Sequence, residues 1–160
     1  MVIGIIFGVF DMLHVGHIVA LQEAKSQCDY LIVGLKTDSV DSSNSYVAAQ
    51  TMVERFIKLD GCQFVDEIIP FESDNDITDM LQSLPVHKYF VGEEYKMIDF
   101  SGRDYCISDG IEIVYTKNKN RFSSHSLRKI VSQREAEKKD ENFSAGLVRR
   151  SSNSLSSTTA

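Results

Sequence analysis

The stretch Val2-Ile3-Gly4-Ile5-Ile6-Phe7-Gly8-Val9-Phe10-Asp11-Met12-Leu13-His14-Val15-Gly16-His17 joins a β-branched apolar run to a glycine-bearing turn and then to a helical pattern. A continuous apolar run of this kind marks a strand buried on both faces of a parallel sheet. Where such a strand turns directly into a helix, the free N–H groups of the first helical turn and the positive end of the helix dipole point at the connection. That corner is a ready anion site. His14 and His17 are three apart and so share one helix face, from which both side chains reach the same ligand. Gly16 between them has no side chain and admits a bulky anion close to the backbone. The corner reads as a phosphate-handling site.

Working outward, the helix from Val15 carries Ile18, Leu21, Ala24 and Cys28 on one face, with Gln22, Glu23 and Lys25 towards water. Tyr30-Leu31-Ile32-Val33-Gly34-Leu35 is a second buried strand, which completes a right-handed βαβ unit. Thr37 to Gln50, rich in Ser, Asp and Asn, reads as a loop over the carboxyl edge of the sheet. A helix over Thr51 to Asp60 is expected to turn Met52, Val53, Phe56 and Ile57 inward and to stop at Gly61. Val65 to Phe71 reads as strand three, with Pro70 at its end or on an edge. Ile77, Met80, Leu81 and Leu84 keep helical spacing up to Pro85, and Lys88 to Gly92 is strand four. Glu93 to Gly110 fits either a short helix or an ordered loop. Ile111 to Thr116 is strand five, and Ser123 or Ser124 caps a last helix packed down by Leu127, Ile130 and Val131. The fold expected is α/β, a Rossmann-like three-layer sandwich with a five-stranded, mainly parallel sheet of order 3-2-1-4-5 and helices on both faces. Residues 1–138 form the domain, and the Ser/Thr-rich residues 139–160 are expected to be disordered.

Composition narrows the function. A net charge of −6 argues against general nucleic-acid binding and restricts any phosphate site to a local patch. Cys28, Cys62 and Cys106 are widely spaced and odd in number, which suggests neither a disulfide framework nor a zinc knuckle. A zinc site on His14, His17 and Asp11 lacks a further His or Cys nearby, so no metal site is expected. No apolar run reaches membrane-spanning length, and the N-terminal run lacks a basic flank, so a cytoplasmic protein with no membrane insertion is the default.

The pattern Gly8-x-Phe10-Asp11-x-x-His14-x-Gly16-His17 closely resembles the opening signature of the cytidylyltransferase-like nucleotidyltransferases, nearest to their small glycerol-3-phosphate cytidylyltransferase branch. Further segments resemble that family in the same order: Lys36-Thr37-Asp38, Glu54-Arg55, Val65-Asp66-Glu67, Gly92-Glu93-Glu94-Tyr95 and Phe122-Ser123-Ser124-His125-Ser126-Leu127-Arg128. The resemblance implies transfer of CMP from CTP to a small phosphorylated alcohol, glycerol 3-phosphate first, with release of pyrophosphate. It gives catalytic roles to His14, His17 and Asp11. It places nucleotide on Gly8, Val9, Phe10, Gly16, Gly92, Glu93, Glu94, Tyr95, Ser123, Ser124 and Arg128, and acceptor on Lys36, Asp38 and Arg55. It also implies Mg²⁺ bridging the triphosphate and a homodimeric assembly.

The chain departs from that pattern in ways that keep alternatives open. The family carries lysine in the loop before the second helix, whereas here no lysine lies between Lys36 and Lys58. Lys36, Lys96, Lys117, Lys119 and Arg121 are the substitutes available. The Ser123-Ser124 pair is also compatible with an adenylyltransferase that uses ATP on a sugar phosphate or mononucleotide. A nucleotide-binding or scaffold protein with weakened turnover is the third reading. Plain structural roles stand beside the chemical ones: Ser123 and Ser124 as a helix cap, Asp38 as a turn cap, Arg55 as an exposed helix residue and Tyr95 as packing.

Overall fold

The computed structural model describes residues 1–38, 47–117 and 123–154, with side chains described as far as residue 141. The chain divides into two compact units, Met1–Phe122 and Ser123–Ala160.

In the first unit the strands are β1 (Ile3–Gly8), β2 (Tyr30–Lys36), β3 (Glu67–Phe71), β4 (Lys88–Gly92) and β5 (Glu112–Thr116). The helices are α1 (Val15–Lys25), α2 (Met52–Asp60), α3 (Asp74–Ser83) and α4 (Arg103–Asp109). The strands form one sheet of order β3-β2-β1-β4-β5, every neighbouring pair parallel. The expected α/β Rossmann-like architecture is therefore present. Pro70, which has no N–H to give, sits on β3 at the edge of the sheet.

Two apolar clusters sandwich the sheet. On one face Leu21 and Ala24 of α1 and Leu59 of α2 pack with Leu31, Val33 and Leu35. On the other, Ile77 and Leu81 of α3 and Cys106 of α4 pack with Ile3, Ile5 and Ile32. Successive strand residues face opposite clusters, which is why both central strands are apolar throughout. Gly34 leaves room for the ring of Phe7, which stands edge-on to Phe71 at 5.3 Å and to Tyr89 at 5.5 Å.

The structure corrects the expectations for α2 and the last helix and resolves the stretch after β4 that the sequence leaves open. Val53 and Ile57 do not turn inward: they are 63% and 64% exposed, and Arg55 and Leu59 are the buried residues of α2. The apolar spacing was outweighed by a guanidinium whose donors meet backbone carbonyls beneath the helix. Glu93 to Gly110 resolves into a 3-10 turn at Glu93–Tyr95 followed by α4, whose entry at Gly102 has φ +85. The last helix, α5 (Ser124–Ser154), does not stop near Lys138 but continues through residues expected to be irregular. Arg134 to Glu141 is made almost wholly of good helix formers, with Glu135 and Lys138 paired at 3.1 Å, so helix needs no apolar periodicity there. Leu127, Ile130 and Val131 of α5 are 38–54% exposed. Residues 155–160, like Lys119 and Arg121, lie outside the described residues.

Candidate functional site

In a doubly wound sheet the crevice opens at the carboxyl ends of the strands where the winding reverses, here between β1 and β4. Ile6 pairs with Phe90, so extending the register by two residues brings Gly8 level with Gly92. The turn after β1 and the Glu93–Tyr95 turn after β4 thus share one edge of the sheet.

The β1–α1 turn is tightly bent. Phe10 and Met12 both take positive φ, 51° and 49°. For side chains other than glycine this conformation is held only where the surroundings over-determine it. The surroundings are visible. Asp11, between the two, is 1% exposed and its carboxylate accepts the N–H groups of Ala49 (2.9 Å) and Gln50 (3.0 Å). The Gln50 side-chain carbonyl in turn accepts the Met12 N–H at 3.0 Å. Asp11, expected among the catalytic residues, therefore clasps the turn to the entrance of α2. Nothing local in the sequence marks Gln50 for this role.

Arg55 extends that clasp. It is 1% exposed, and its Nη1 donates to the carbonyls of Val9 (2.7 Å) and Lys36 (2.8 Å). Nε donates to Gln50 C=O (3.2 Å), and Nη2 to Asp38 Oδ1 (2.6 Å). Asp38 Oδ2 accepts the Met52 N–H at 2.8 Å. That backbone bond, with help from Arg55, holds its carboxyl below the usual range. Both residues were expected to touch acceptor, yet their polar groups join the chain after β1, the end of β2 and the start of α2. The exposed-helix alternative for Arg55 is excluded. The capping alternative for Asp38 matches its bond to Met52, although Thr51 and Glu54 complete the cap itself.

His14 and His17 come together as the sequence indicated, in an arrangement that spacing alone did not reveal. His14 is the N-cap of α1 and its Nδ1 accepts the Gly16 N–H at 3.1 Å. His17 Nδ1 accepts the His14 N–H at 3.4 Å, and the rings stack 3.9 Å apart. The pair thus forms a reciprocal capping box built from two imidazoles. Because each Nδ1 accepts, each proton must sit on Nε2, a tautomer assigned from the bonding pattern. Burial lowers the pKa of His14. Burial and then His14 lower that of His17 to about 4, against the opposing pull of Asp11. Near neutrality the site therefore holds two uncharged rings with Nε2–H donors, on a helix N-terminus.

A pH prediction follows from the sign of that shift. Between the ordinary histidine value of 6.5 and about 4, the unfolded chain binds more protons at His17 than the folded one. Stability from this ring is complete above pH 6.5 and is lost as pH falls towards 4. Urea titrations at stepped pH check this, and His17→Gln is expected to flatten that part of the profile.

Beyond β4, Glu93, Glu94 and Tyr95 are exposed, and Lys96 pairs with Glu93 at 3.0 Å. Tyr95 stands edge-on to Phe100 at 6.2 Å, so its ring has a packing contact as well as an open side. In the second unit Ser123 caps α5 by accepting the Ser126 N–H at 3.1 Å, Ser124 opens the helix and Arg128 follows one turn later. Among the described residues no three His, Cys, Asp or Glu side chains converge on a point that could hold a metal.

Fold and corner together define a doubly wound α/β protein whose β1–α1 turn, capped by two histidines, lies at the switch point of the sheet. Comparison with known proteins makes this specific: residues 5–151 match the cytidylyltransferase-like family model, and the chain belongs to that family of nucleotidyltransferases. Glycerol-3-phosphate cytidylyltransferase of Bacillus spizizenii is 29% identical over 78% of this chain and 93% of its own. A probable ethanolamine-phosphate cytidylyltransferase of Encephalitozoon cuniculi is 33% identical over 79% of this chain and 38% of its own. Among solved structures, a lipopolysaccharide core biosynthesis protein of Thermoplasma volcanium shares the fold, with a TM-score of 0.60 at 23% identity. That likeness covers 74% of this chain and 97% of the other. No helix of the described residues is long and apolar enough to cross a membrane.

Proposed function

We propose that this protein transfers CMP from CTP to a small phosphorylated alcohol, with glycerol 3-phosphate as the first acceptor. A phosphate oxygen of the acceptor attacks the α-phosphorus in line. The new P–O bond forms as the bond to the β-phosphate breaks, and pyrophosphate leaves. The observation that carries this reading is the pair of Nε2–H donors at the N-terminus of α1. Donors fixed in place before the reaction stabilise charge that grows on phosphorus, and they need no reorganisation at that moment. Neutral rings suit hydrogen bonding to oxygens that stay anionic throughout. Gly8, Val9, Phe10 and Gly16 leave backbone for the phosphates, and Gly92 to Tyr95 take the nucleoside. Magnesium arrives as the complex of the triphosphate and belongs to the substrate. Similarity to glycerol-3-phosphate cytidylyltransferases over most of both chains supports the choice of acceptor.

Purified protein assayed for pyrophosphate with CTP or ATP, against glycerol 3-phosphate and ethanolamine phosphate, tests the reading. Release with CTP and glycerol 3-phosphate is the expected result. Release with ATP alone establishes the adenylyltransferase alternative, and CTP binding without release from any acceptor establishes the weakened one.

A further inference from the structure

Gln50 lies outside every segment that resembles the family, yet three of its groups are tied beside the β1–α1 turn. Its N–H donates to Asp11 Oδ1 at 3.0 Å, and its C=O accepts from Arg55 Nε at 3.2 Å. Its side-chain carbonyl accepts the Met12 N–H at 3.0 Å. The atom that meets Met12 must be Oε1, because a backbone N–H only donates. With Asp11 and Arg55 holding the backbone of Gln50 from both sides, the entrance of α2 is a fixed post for that side chain.

The residue it anchors is the one that aims the histidines. Met12 has φ 49°, a left-handed conformation that a residue with a side chain leaves unless something holds it. One residue, Leu13, separates it from His14, the N-cap of α1. The backbone angles at Met12 therefore direct the N-cap and, through the capping box, both rings. Upstream the turn is tied independently: Val9 C=O takes Arg55 Nη1, and Asp11 takes the amides of Ala49 and Gln50. The bond from Met12 to Gln50 comes next, directly before the histidines' own capping box.

We propose that Gln50 is a positioning residue: by holding Met12 in the left-handed conformation it fixes where His14 and His17 present their Nε2–H groups. Its effect on turnover rests on the transfer reading above, and the test separates the two. Gln50→Met keeps the length of the side chain and removes the acceptor, while Gln50→Glu restores an acceptor oxygen. Both keep the backbone bonds to Asp11 and Arg55, so both are expected to melt within a few degrees of wild type, the effect of about one hydrogen bond. In Gln50→Met the Met12 amide should exchange with deuterium about tenfold faster or more. Side-chain ¹⁵N spectra should then show His14 and His17 divided between tautomers rather than held as Nε2–H. In the same variant kcat should fall by about tenfold or more, with KM for CTP and for glycerol 3-phosphate within about threefold of wild type, as donors misplaced in the transition state require. Gln50→Glu should regain Met12 protection, the single tautomer and most of kcat, any effect of its added charge falling on KM. Wild-type tautomers with wild-type kcat in Gln50→Met, or a loss confined to KM, would overturn the assignment. So would a Tm lowered by more than about 10 °C in Gln50→Met, which makes the residue a plain structural one. A kcat in Gln50→Glu as low as in Gln50→Met, with Met12 protected, counts against it equally. If wild type releases no pyrophosphate, the transfer reading fails, and the tautomers and Met12 exchange still decide whether Gln50 sets the turn.

Discussion

His17→Ala is expected to lower kcat by about 10²-fold or more, the usual cost of removing one fixed donor from a developing oxyanion. CTP affinity should change far less, because the contact strengthens only as phosphorus becomes five-coordinate. Two roles meet in this ring and the experiment separates them. Nδ1 closes the capping box by accepting the His14 N–H, and losing that bond costs on the order of 1 kcal/mol of stability. In the proposed transfer Nε2–H carries the chemistry. His17→Gln supplies a side-chain acceptor for the cap, so a variant that melts normally and still turns over slowly isolates the second role. His14→Ala should follow the same pattern, with kcat reduced more than CTP binding. Wild-type kcat in either alanine variant contradicts the roles assigned to the rings.

The second large effect is on folding. Arg55→Met should destabilise the protein by about 3–5 kcal/mol, in the range measured when a buried charged group is taken from its partners. Three carbonyls, those of Val9, Lys36 and Gln50, lose a donor, and Asp38 loses its ion pair. Asp38 is 53% exposed, so its share is screened and most of the cost lies in the carbonyls. Differential scanning calorimetry is expected to show a Tm about 10 °C lower, taking a few degrees per kcal/mol for a chain of this size. Turnover should fall further than stability requires, because the same guanidinium holds the phosphate turn beside β2. A variant melting within about 2 °C of wild type, with full activity, would remove Arg55 from the organising role.

Residues alone carried the sheet order and the corner, and the reasons are physical. Apolar β-branched runs separated by helical spacing admit few arrangements, and the right-handed crossover rule prunes those further. The turn was readable because Gly8, His14, Gly16 and His17 are close in sequence. What could not be read depends on partners distant in sequence. In a one-dimensional pattern Asp11 and Arg55 are only charged residues, and their bonds to distant backbone leave no mark there. Only coordinates show Asp11 meeting amides 38 and 39 positions away and Arg55 meeting carbonyls 46 and 19 positions away. On α2 the spacing of Val53 and Ile57 pointed the wrong face inward for the same reason. The bonds that bury Arg55 leave no trace in hydropathy. In α5, Ser/Thr-rich sequence without apolar periodicity gives no sign of helix, although the charged helix formers before it sustain one.

The central claim is that two neutral imidazoles present Nε2–H groups to phosphate oxygens at the β1–α1 turn. Its most direct test is ¹⁵N NMR of the histidine side chains of His14 and His17 near neutral pH, recorded as CTP is added. The expected result is the Nε2–H tautomer at both rings, with the Nε2 resonances moving as the nucleotide saturates. An imidazolium or Nδ1–H form at either ring, or resonances that stay fixed at saturating CTP, would contradict it.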